Sequence, residues 1–149
     1  MREIKFRAWD KEESKMWNKN HPVICGGTPM LFCGARYNVG KEEVTVYHFY
    51  EKPSLILMQY TGLKDKNGVE IYEGDVVNII AKTASSKSKD SKRIGKIFFD
   101  DGMGWPCFRA VVWNKKGKTW DYPQSVNLST IEVIGNIYEN SDLIGDEKN

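Results

Sequence analysis

The chain has 149 residues, 40% of them hydrophobic, and its 22 basic and 20 acidic side chains leave a net charge of +2. That length suits about one domain with room for a sizeable core, and no apolar run approaches the ~18 residues of a membrane span. The near-neutral balance argues against a dedicated nucleic-acid binder. Three cysteines cannot all pair within one chain. The opening residues, Met1 to Lys5, run straight into a strand pattern without an apolar signal core. Together with the odd cysteine count, this predicts reduced thiols and a cytoplasmic protein.

In chain order, Ile4, Phe6 and Ala8 alternate with Lys5, Arg7 and Trp9, the period of a half-buried strand. Residues 10–15 are charged and predict a turn, and Met16-Trp17 opens a second strand. Residues 21–40 hold Pro22, Pro29 and four glycines, which predicts loop and short strands. Residues 43–50 alternate again, with Val44, Val46 and His48 on one face, so His48 is expected as a core or cross-strand histidine. Pro53 then breaks the pattern.

The stretch 59–77, QYTGLKDKNGVEIYEGDVV, organises the rest. Leu55 to Met58 lead into it as an apolar strand, and Thr61-Gly62-Leu63 interrupts that strand. Asn67-Gly68 is the strongest short turn signal, expected as a type I′ turn with both residues at positive φ. Glu73-Gly74-Asp75 predicts a second tight turn, with positive φ at Gly74 and Asp75 bonded to nearby amides. Val77 and Ile79 are the expected inward pair of the next strand.

Residues 82–93 change composition: Lys82, Lys87, Lys89, Lys92 and Arg93 face Asp90 alone. They predict a solvated, mobile basic loop at 82–93. Strands resume at 94–99. Phe108, Ala110 and Val112 alternate with Cys107, Arg109, Val111 and Trp113. A last strand covers 131–138, with Gly135 as a bulge, and residues 142–144 form a terminal turn. Short strands separated by turn signals, without long helical periodicity, predict a mainly β protein. The expected parts are a β-rich subdomain at 1–53, a small SH3-like β-barrel at 54–140 and a tail at 141–149.

Three motifs in order resemble those of the YopX family. They are Lys5-Phe6-Arg7-Ala8-Trp9-Asp10 with Lys15-Met16-Trp17, the QYTGL–D-x-NG–IYEGD stretch, and Val133-Ile134-Gly135-Asn136-Ile137-Tyr138-Glu139-Asn140. The central motif residues are Gln59, Thr61, Gly62, Asp65, Asn67, Gly68, Tyr72, Gly74 and Asp75. The resemblance implies a phage or prophage protein of a bacterial host that forms homo-oligomers. It brings no catalytic residue.

Chemical constellations weigh against catalysis. His21, Cys25, Cys33 and Cys107 or His48 lack the Cys-x-x-Cys spacing of a zinc knuckle, so no metal and no cofactor is expected. Cys25-Gly26-Gly27 has no partner base, Asp100-Asp101 sit at a turn, and phosphate-binding glycine fingerprints are missing. The expectation is a non-enzymatic, self-associating protein-interaction module. The alternative is a nucleic-acid-binding module in which Lys87, Lys89, Lys92, Arg93, Arg109, Trp113 and Trp120, with Tyr122, offer cations and stacking faces. Tyr, Trp and Arg serve a protein interface equally well.

Overall fold

The computed structural model describes residues 3–18, 22–25, 28–81, 91–100, 107–114, 117–121 and 131–144. The fold is mainly β, and no described helix reaches seven residues. The strands are β1 (Phe6–Asp10), β2 (Lys15–Trp17), β3 (Pro22–Cys25), β4 (Thr28–Val39), β5 (Glu42–Glu51) and β6 (Leu55–Lys64). They continue as β7 (Glu70–Tyr72), β8 (Asp75–Ala81), β9 (Ser91–Asp100), β10 (Cys107–Asn114), β11 (Gly117–Asp121) and β12 (Ile131–Asn136). A 3-10 turn at Ser141–Ile144 follows. Two compact units emerge, one of Lys5–Gln59 and one of Tyr60–Asn149 with Met1–Ile4. The division falls inside β6, six residues after Pro53, because Leu55 to Gln59 pair with β1 and only the later residues of β6 pair with β7.

In the Lys5–Gln59 unit, β1 is flanked by β2 and by the first half of β6, all antiparallel. Ala8 and Leu55 are buried there, with Trp17 and Leu57 packed against them. Beside this lies a three-stranded sheet in the order β3-β4-β5. The broken reading of 21–40 is corrected here. β4 is one strand of 12 residues, since its ten-pair ladder with β5 carries the backbone through Gly34. Pro29 pairs with Ile24 of β3, and its carbonyl accepts the Lys52 amide at 3.2 Å.

The Tyr60–Asn149 unit holds a curled five-stranded sheet in the order β11-β10-β9-β8-β12. Alternation on its strands builds the core. Val77 and Ile79 on β8, and Phe108, Ala110 and Val112 on β10, turn inward with Ile71, Ile97 and Ile131. Val77 and Ile79 are thus the inward pair that period two predicts. The apolar pairs expected from the sequence line this core because a one-residue slip would send them all to the other face. The register shifts between Val133 and Gly135, a bulge where the sequence placed one. A Cβ at Gly135 would overlap the Asn140 side chain. The strand also begins earlier than expected after the basic stretch. Ser91, Lys92 and Arg93 belong to β9 and pair with Ala81, Ile80 and Ile79. The remainder of that loop, 82–90, lies outside the described residues.

Candidate interaction surface

The polar residues of the central stretch are consumed in holding turns. Thr61 donates its hydroxyl to the Ile71 carbonyl at 2.8 Å and accepts the Leu63 amide at 3.2 Å. This fixes an irregularity in β6, whose register against β7 shifts between Tyr60 and Lys64. Asp65 accepts the amides of Asn67 and Val69 at 2.8 and 2.9 Å through one oxygen, and that of Val133 at 3.0 Å through the other. Burial alone would raise its pKa, but the amides of Val133, Val69 and Asn67 hold the carboxyl below the usual range.

The Asn67-Gly68 turn is not type I′. Gly68 has φ 81° and its amide reaches the Asp65 carbonyl at 3.0 Å, while Asn67 keeps negative φ. Asp65 explains the difference. By taking the Asn67 and Val69 amides it favours a turn whose single left-handed residue is the glycine. At the second turn Gly74 has φ 79°, as expected, and Asp75 accepts the Tyr72 amide at 2.7 Å. Gly74 also bonds Ile97 and Ile137 through its backbone, at 2.8 and 2.9 Å. Tyr72 packs against Tyr60 with the rings tilted at 43° and their centroids 5.4 Å apart, and its hydroxyl donates to Glu70. Gln59 serves the ladder opposite Phe6.

The first and last motifs work the same way. Asp10, fully buried, accepts the amides of Glu12 and Glu13 and the Ser54 hydroxyl, and it pairs with Lys52. Burial pushes its pKa up, yet Lys52, Ser54 and the two amides outweigh that and lower it to about 2. Lys52 also pairs with Glu13 and, with Lys15, lies over the Trp17 ring. Asn136 accepts the amides of Tyr138 and Glu139, while the Asn140 carboxamide oxygen accepts that of Asn136.

Three sequence-distant motifs that all resolve into turn locks make a family signature of architecture. The family profile described as "YopX protein" matches residues 5–145. The chain belongs to the YopX family. Among solved structures it is similar to protein EF1440 from Enterococcus faecalis, with 26% identity and a TM-score of 0.57. That match covers 95% of this chain and 98% of the other. No curated protein matches the chain.

In this YopX family member the described residues expected at a nucleic-acid or partner face fall on β9, β10 and β11, neighbouring strands of one sheet. Arg109 is corrected outright. It is 4% exposed and paired with Asp100 at 2.5 Å, with its Nε 3.4 Å from the Cys107 sulfur. A buried, paired guanidinium is not free to meet a phosphate. Arg93 and Lys92 sit on β9, Trp113 on β10 and Trp120 on β11. Lys87, Lys89 and Tyr122 lie outside the described residues. The register sets Cys33 opposite His48, while Cys25 is on β3 and Cys107 on β10, in the other unit. Among the described residues, no three His, Cys, Asp or Glu side chains group as metal ligands.

Val44 and Val46 alternate as a covered face would, yet they are 40% and 39% exposed, and Tyr37 and Val39 are 50% and 64% exposed. Tyr37 stands directly opposite Val44 across the ladder, so all four share one face of the β4–β5 arm. The opposite face carries Arg36, Asn38, Glu43 and Thr45, with Arg36 paired to Glu43 at 3.7 Å. Alternation reports two different faces, but only packing decides whether either is covered.

Proposed function

We propose that this YopX family member is a phage- or prophage-encoded accessory protein of a bacterial host that acts without catalysis, by associating with itself and with protein partners. The observation that carries this reading is the uncovered apolar face of the β4–β5 arm. Monomeric proteins expose scattered apolar side chains freely, but a contiguous patch marks an interaction site. Family membership supports the reading. So does the use of the motif carboxylates, which hold turns. Solution mass tests it: at tens of micromolar, light scattering should give a multiple of 17.1 kDa. A lone species at that mass would overturn the reading. The competing class, a nucleic-acid module on the 82–93 stretch, would instead show duplex binding that weakens with salt at a log–log slope of roughly −4 to −5.

A further inference from the structure

We propose that Asn67 is a self-modification site, where the backbone nitrogen of Gly68 slowly converts the asparagine to aspartate and isoaspartate. The proposal is independent of the self-association reading. Asn67 is the only asparagine in the chain that precedes a glycine. Glycine has no side chain to shield its nitrogen, and Asn67, Gly68 and Val69 are all exposed. A Cβ built on Gly68 would meet nothing within 4 Å, so that side of the turn is open. Among the described residues the Asn67 carboxamide has no hydrogen-bond partner. Asn140, which precedes Ser141, is the next least hindered, but its carboxamide oxygen accepts the Asn136 amide at 3.2 Å. Asn136 is itself buried, and its oxygen accepts the Tyr138 and Glu139 amides.

Water is the only co-reactant. The Gly68 nitrogen gives up its proton and bonds to Cγ of Asn67. The carboxamide C–N bond breaks, and the amino group takes up that proton and leaves as ammonia. One water then opens the cyclic imide. Opening at Cγ gives aspartate, and opening at the backbone carbonyl gives isoaspartate, whose chain runs through the side-chain carbons. A single bond restrains the first step. The Gly68 N–H donates to the Asp65 carbonyl at 3.0 Å, and the nitrogen must leave that oxygen before it attacks. Modification therefore proceeds through local openings of the turn, and the Asp65 contacts set how often they occur.

The product changes more than one side chain. Asp65 takes the Asn67 and Val69 amides on one oxygen, at 2.8 and 2.9 Å, and the Val133 amide of β12 on the other, at 3.0 Å. Isoaspartate lengthens the backbone between Asn67 and Val69, so both amides can no longer meet one oxygen. The new carboxylate also stands beside Asp65, whose own carboxyl is held ionised by those amides. The conversion thus opens the lock that ties this turn to β12.

The test incubates the full chain at physiological pH and temperature, folded and in enough urea to unfold it, and follows each asparagine by peptide mass spectrometry. In the folded chain Asn67 should convert before any other asparagine, with isoaspartate among the products. It should convert about tenfold more slowly than in the unfolded chain, the measure of the Asp65 restraint. Equal rates in the two states would remove that restraint. A folded rate more than about a hundredfold below the unfolded one would mean that the native turn is protected, and the proposal would fall. It would fall as well if another asparagine converted first. Asn67→Gln, at an exposed position, would close a larger ring and should cut the acidic form resolved by ion exchange at least about fivefold. An undiminished acidic form in that variant would place the modification elsewhere.

Discussion

Among the described residues, the core cluster of the Tyr60–Asn149 unit joins eight buried apolar side chains from β8, β9, β10, β12 and the β7 segment, whereas that of the Lys5–Gln59 unit joins Ala8 and Leu55. Both use the same polar device, a buried carboxylate that gathers turn amides: Asp65 and Asp75 in one, Asp10 in the other. The difference lies in sheet geometry. β8, β9 and β10 are each flanked by two strands in a curled sheet, so one face of every strand is enclosed. β4 and β5 run together for ten pairs, while β3 reaches only the first four residues of β4. Turn locks fix where a chain bends, but they do not enclose apolar surface. Only the arrangement of sheets does that.

The largest test of the comparison is a cavity in the larger core. Ile97 is 2% exposed at the centre of the five-stranded sheet. Ile97→Ala should cost about 3–4 kcal/mol in urea unfolding, as buried isoleucine truncations do. A loss below about 1 kcal/mol would mean that the core is not packed as described.

Next in size is Gly74→Val, which forces a β-branched residue to φ 79° at a buried turn. About 1–2 kcal/mol of strain is expected in the same assay. An unchanged midpoint would show that this turn does not hold the glycine conformation.

The smallest effect concerns the Lys5–Gln59 unit and acid. The Asp10 carboxyl has its pKa lowered to about 2 when folded, against about 3.9 in an unfolded chain. A depressed carboxyl adds stability that is complete above the unfolded value and is lost as pH falls through the folded one. Between pH 4.5 and 3 only the upper part of that loss is sampled. Asp10→Asn should therefore flatten the decline of stability over this range relative to the parent chain. Parallel declines in the two proteins would remove Asp10 from the acid response.

Much of the larger unit was legible in the sequence. Val77 with Ile79, and Phe108 with Ala110 and Val112, alternate because a strand with one enclosed face must. Gly74 and Gly135 sit where the backbone leaves no room or no angle for another residue. The turn at Asn67 was misjudged because the deciding acceptor, Asp65, also reaches Val133 on another strand. Arg109 alternates like an outward residue, but its partner Asp100 lies across the β9–β10 ladder and takes it out of solvent. The continuity of β4 escaped notice because Pro29 and Gly34 weaken local strand signals, while the ladder with β5 is long enough to override them.

By itself the sequence determined strand period, turn positions and family membership, because these rest on neighbours within a few residues and on fixed motifs. Tertiary structure alone decided which alternating face is enclosed. Val44 and Val77 look alike in their local patterns, yet one is 40% exposed and the other is fully buried. Burial is a property of what packs over a face, and periodicity carries no information about the layer above it.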